Sequence, residues 1–193
     1  MCQTENGPHS VKNLESLIDR FSSWISNVDQ KAGILISLLG ILLTILFTSR
    51  FVSVVKESIV LPFLSYFSNS QDYSFSLSHT LFFLACLATL VFGIISIIFA
   101  LRTLKATITP DGYNDIKETV SSSHIFFGSI SKMSYEEYVS NNNNYDYLQD
   151  LLTQVYINAC ICNLKFERYN KSLLYFRYFF ISLVVLLLLY FFI

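Results

Sequence analysis

The chain has 193 residues, of which 53% are hydrophobic and 14% charged, and its formal net charge is −1. Soluble domains carry about 25% charged residues, so the composition excludes an ordinary water-soluble domain and points to a membrane protein. The near-neutral balance also gives no basic footprint for a nucleic-acid polymer.

Residues 1–10 are polar and read as a loose start. From Val11, the residues Leu14, Ile18, Phe21, Ile25 and Val28 recur at steps of four and three, and Leu17 and Trp24 widen the stripe. That spacing predicts a helix with one apolar face. Asp29 and Lys31 close it at the membrane surface, so residues 1–31 form an N-terminal amphipathic segment. These polar first residues contain no short apolar region with a cleavage site, and the first span is expected to stay as an anchor.

The first span covers residues 32–49, AGILISLLGILLTILFTS, with Gly33, Ser37, Gly40, Thr44 and Thr48 on one face. Small residues let helix backbones approach, and hydroxyls bond across helices. This face is expected to pack on another helix; a sharper reading has it line a pore. Residues 50–80 read as an outer loop with an interfacial helix. The apolar piece from Ile59 to Phe67 is broken by Pro62 and is too short for a confident span, with a re-entrant segment as the alternative. The second span covers residues 81–101. Ala85, Thr89 and Gly93 repeat every four residues, a packing face suited to the one on the first span.

Residues 102–174 are a polar region. It holds a turn at Thr109-Pro110-Asp111-Gly112, an apolar piece from His124 to Gly128, a capping box of Ser134 and Glu137, and an Asn run at 141–144. A long helix is expected from Asp146. Its apolar seam is Leu148, Leu152, Val155, Ala159, Cys162, Phe166, Tyr169 and Leu173, with Gln149, Asp150, Gln154, Asn158, Asn163, Glu167 and Lys171 on the water side. An Asp at 152 or 155 is expected to break that seam. No Gly or Pro interrupts the helix before the third span, residues 175–193, which is roughly long enough to cross a hydrocarbon core of about 30 Å. The fold class is therefore an all-α membrane protein with about three transmembrane helices and a cytosolic helical bundle continuous with them.

Basic residues set the orientation. Arg102, Lys105, Lys165, Arg168, Lys171 and Arg177 flank the polar region between the second and third spans. The N-terminus and the central region are therefore expected in the cytosol and the C-terminus at the outer face. Cys2, Cys86, Cys160 and Cys162 form no disulfide framework, and Cys160 and Cys162 point apart on a helix. The sequence contains no Gly-rich phosphate loop, HExxH, GxSxG or paired-carboxylate site. No enzyme, no catalytic residue, no metal site and no bound cofactor are expected, which moves function to recognition and the membrane.

Several pieces in order carry a family resemblance. They are Asp29-Gln30-Lys31-Ala32-Gly33 at the start of the first span, Phe126-Phe127-Gly128, Ser134-Tyr135-Glu136-Glu137-Tyr138, Gln154-Val155-Tyr156, and Lys165-Phe166 leading into the last span. In order and spacing, the chain resembles the transmembrane effector family of the Pycsar antiphage systems (PycTM). The resemblance implies a bacterial inner-membrane protein activated by a cyclic nucleotide of the cCMP or cUMP class, made by a partner cyclase. It further implies disruption of the membrane, abortive infection and a homo-oligomer in contact with lipid.

A cyclic nucleotide is small, anionic and flat, so its site needs a cation for the phosphate and an aromatic wall for the base. The candidates are Arg102, Lys105, Lys165 and Arg168 for charge, with Phe126, Phe127, Tyr135 and Tyr138 for stacking. Asp29 and Lys31 are expected to pair with Lys165 or Arg168 and a carboxylate, locking a closed state that the ligand opens. The alternative is a membrane-anchored coiled-coil scaffold that needs no ligand.

Overall fold

In chain order the helices are α1 (Val11–Leu46), α2 (Ser49–Val55), α3 (Leu77–Leu104), α4 (Phe127–Ile130), α5 (Tyr135–Ser140) and α6 (Tyr147–Tyr190). A π-helical turn, Lys56–Val60, continues directly from α2. This computed structural model describes residues 10–61, 64, 77–106, 123–140 and 145–191. The turn expected at Thr109 to Gly112 and the Asn run at 141–144 lie outside the described residues. All regular structure among the described residues is helical, and three helices, α1, α3 and α6, are long and apolar enough to cross a membrane. The chain divides into two compact units, residues 1–30 with 105–167, and residues 31–104 with 168–193.

The second unit carries the spans. Its core joins Leu35, Leu39 and Leu46 of α1, Phe82 and Ala85 of α3, and Phe179, Leu183 and Leu186 of α6. Phe51, Val54, Val55 and Ile59, from α2 and its π-helical extension, pack against this core. In α3, Ala85, Thr89, Gly93 and Ser96 form the buried face. That face does not meet the small-residue face of the first span, as the spacing suggested. A Cβ built on Gly93 would stand 3.1 Å from the Phe179 ring, while Cβ atoms on Gly33 and Gly40 would meet nothing within 4 Å. The missing Gly93 side chain thus makes room for a Phe on α6. One turn further along α3, Ser96 and Ser172 lock the same two helices. The Ser96 hydroxyl donates to the Ser172 carbonyl at 2.9 Å, and the Ser172 hydroxyl donates to the Ser96 carbonyl at 2.8 Å. Both residues are fully buried. Reciprocal pairing satisfies hydroxyls where no water competes.

The first unit is built on residues 11–30 of α1 and the first half of α6. Asp146 starts α6 by accepting the Gln149 N–H at 3.1 Å, and Ser134 starts α5 by accepting the Glu137 N–H at 3.1 Å. Each satisfies a donor that a helix N-terminus leaves without a partner. On this first half of α6 the buried residues are Asp150, Leu151, Thr153, Gln154, Ile157, Ile161, Cys162 and Lys165. The apolar count placed Asp150 and Gln154 on the water side, and the fold corrects that. Of the expected seam, Ala159, Cys162 and Phe166 line an open groove of about 420 Å³ with Phe21 and Trp24. The buried face is rotated from the apolar seam by roughly one residue because Asp150, Thr153 and Lys165 on it find partners inside the unit.

Candidate functional site

The polar anchor of the first unit is Asp150, which is fully buried. Its Oδ2 accepts the Ser123 hydroxyl at 2.8 Å, the His124 main-chain N–H at 2.9 Å, and the Tyr145 hydroxyl. Ser123 Oγ in turn accepts the main-chain N–H of Phe126 at 2.9 Å. The His124 ring stacks on Tyr145 and Tyr138, with centroids 4.6 Å and 5.4 Å apart. One carboxylate therefore fixes the segment that presents Phe126 and Phe127. Gly128 completes the segment: a Cβ there would fall 2.5 Å from the Phe126 ring, so any side chain would displace that ring.

Replacing Asp150 by Ala leaves three donors without their acceptor. We expect a loss of about 3 kcal/mol in a denaturation measured on the purified protein. Tyr145 adds a pH signature. Burial, then the hydrogen bond to Asp150 and its charge, push the phenol well above its ordinary value. The neutral phenol is the form the fold holds, so its stabilisation is complete below the ordinary tyrosine pKa of about 10 and falls as pH climbs above it. Tyr145→Phe should flatten that alkaline decline in a melt series from pH 8 to 11.

Beneath Phe126 and Phe127 lies a cavity of about 550 Å³, with walls from α1 and α6. From α1 come Ser22, Ile25, Ser26, Asp29 and Gln30, and from α6 come Gln154, Ile157, Asn158, Ile161 and Lys165. Each set repeats at three and four residues, so each lies on one helix face. Lys165, 4% exposed, points its ammonium at Asp29, with Nζ 2.6 Å and 2.8 Å from the two carboxylate oxygens. Charge-assisted contacts this short are strong. The cavity thus offers a cation already held by an internal carboxylate, an aromatic rim and three side-chain amides, those of Gln30, Gln154 and Asn158.

Of the ten expected site residues, the fold gathers Asp29, Phe126, Phe127 and Lys165 around this cavity. The other six do not line it. Lys31 and Lys105 are exposed. Arg168 donates to the Arg102 main-chain carbonyl at 3.0 Å, and the Arg102 guanidinium lies 5.8 Å from the Phe99 ring centroid. Tyr135 is 82% exposed on α5, and Tyr138 faces His124. Sequence reasoning missed Gln154, Asn158 and the anchoring role of Asp150. A helical wheel drawn back from Lys165 through Ile161 and Asn158 to Gln154 is the signal that finds the first two.

Residues 13–193 match the Pycsar effector protein domain, PycTM. The chain belongs to the Pycsar effector family. Pycsar effectors of this family are transmembrane proteins of antiphage defence that respond to a cyclase-generated cyclic nucleotide signal. Among curated proteins, the chain is 28% identical over 175 residues to the Pycsar effector protein GmPycTM of Gulbenkiania mobilis, covering 89% of this chain and 86% of that one. No solved structure matches it. The three long apolar helices make this Pycsar effector a membrane protein.

Proposed function

We propose that this Pycsar effector is a gated disruptor of the bacterial inner membrane, opened by a cyclic mononucleotide of the cCMP or cUMP class, so that infection ends in growth arrest or death. The observation that carries the reading is the cavity in which Lys165 meets Asp29 beside Phe126, Phe127 and three amides. The phosphate takes Lys165 from Asp29, and the base lies against the Phe rim. Asp29 and Lys165 stand on the two helices, α1 and α6, that each continue as a span. Breaking their contact releases a tie between those helices. The ligand shifts the equilibrium by as much as it prefers the open state.

The basic residues around the central region support a cytosolic placement for it and the N-terminus, on the side where a cyclase product is made. Gly33, Ser37, Gly40 and Thr44 present an open small-residue face in the single chain, suited to a second copy in a homo-oligomer.

Dye release from liposomes holding the purified protein tests the reading, with cCMP, cUMP, cAMP, cGMP and cyclic oligonucleotides added one at a time. Release with a cyclic mononucleotide supports it. Leak with none present means a constitutive disruptor, and tight vesicles throughout, with insertion verified, favour the scaffold alternative.

A further inference from the structure

We infer that Gln154 reads the base and sets which nucleotide opens the effector. The inference rests on the function proposed above. Gln154 is 7% exposed and lines the cavity. The described residues form no hydrogen bond to its side-chain amide, although its main-chain carbonyl accepts Asn158 Nδ2 at 2.8 Å. Among the described residues, the fully buried side-chain atoms without a partner are Ser10 Oγ and Asp150 Oδ1, so the Gln154 amide is not sealed off but opens onto the cavity it lines. The amide is therefore set for a partner from outside the chain. Asn158, one turn on, commits its Nδ2 to that carbonyl and keeps its Oδ1 as an acceptor.

Position supports the assignment. Lys165 lies three turns beyond Gln154 on the same face, about 16 Å along the helix axis between Cα atoms. Their long side chains close part of that gap. A nucleotide with its phosphate on the ammonium and its base edge on the amide bridges the rest; a bare phosphate does not. A carboxamide carries one donor and one acceptor side by side. It therefore complements a base edge that alternates the two, as N3 and its neighbouring group do in either pyrimidine. The orientation the amide takes decides which base fits.

The test is calorimetric titration of the full-length protein in nanodiscs with cCMP, cUMP, cAMP and cGMP, for the native chain and Gln154→Leu. The native chain should prefer one nucleotide by about tenfold or more, and Gln154→Leu should lose that preference while still binding the panel weakly. Because the amide opens onto the cavity, its removal should leave the melting temperature about unchanged. Gln154→Met serves as the second variant if Leu disturbs folding. A preference unchanged in both variants overturns the role of Gln154 and leaves the proposed function standing, whereas a native chain that binds all four equally overturns that role together with the pyrimidine class of the proposed ligand. A native chain that binds none of the four overturns that function and this inference together.

Discussion

Lys165→Glu should abolish nucleotide-triggered leak while the protein still inserts into the membrane. In the native chain the Lys165 ammonium contacts both oxygens of Asp29. Glu at this position sets a second carboxylate against Asp29 and against any phosphate entering the cavity. Two like charges about 4 Å apart near a protein surface repel by about 4 kcal/mol. Nucleotide affinity should fall by at least about 100-fold, since a charge-assisted contact is lost and a repulsion gained. Lys165→Met separates the two effects: it removes the cation without adding the repulsion, and it too should silence the response.

Asp29→Asn should act in the opposite direction. It leaves Lys165 facing the cavity without its counter-ion, so less nucleotide should suffice, or vesicles should leak before any is added. Toxicity on expression, binding by calorimetry and membrane fractionation read all three variants. Full toxicity in Lys165→Glu, or a silent Asp29→Asn, would remove the pair from the gating account.

The second large effect is expected in the spans. Gly93→Leu drives a side chain into the Phe179 ring, which is fully buried and stands 3.1 Å from where even a Cβ would lie. Overpacking of this kind costs about 1–3 kcal/mol, and here it also pries apart the reciprocal Ser96–Ser172 hydrogen bonds one turn away. The variant should melt several degrees lower in detergent and leak without nucleotide. Gly40→Leu is the matched comparison, because a Cβ at Gly40 meets nothing within 4 Å. In a single chain it should melt like the native protein; a loss of assembly or leak would then report a contact with another copy. A Gly93→Leu protein with unchanged stability and tight vesicles would mean that the α3–α6 contact does not hold the spans.

Asp150 and Gln154 show why the site was only partly legible. Apolar periodicity counts hydrophobicity, so it assigns every polar residue of a helix to water. It has no means of knowing that Ser123, His124 and Tyr145 return from elsewhere in the chain to satisfy Asp150, or that Asp29 arrives to neutralise Lys165. Leu152 and Val155, the positions first expected to break the fold when charged, are half-buried, whereas Leu151 is 2% exposed. A charge at Leu151 is the more damaging change for the same reason.

The order of the motifs and the length of the apolar runs were enough to name an all-helical membrane chain and its family. Both are properties of contiguous sequence: a span needs only enough consecutive apolar residues, and a helix satisfies its own backbone inside a bilayer. Tertiary structure alone decided which residues share a site. Asp29 and Lys165 are 136 positions apart, and nothing local to either selects the other among the charges of the chain. Their pairing depends on how two long helices rotate against each other, and that rotation follows from the satisfied polar contacts of the folded unit.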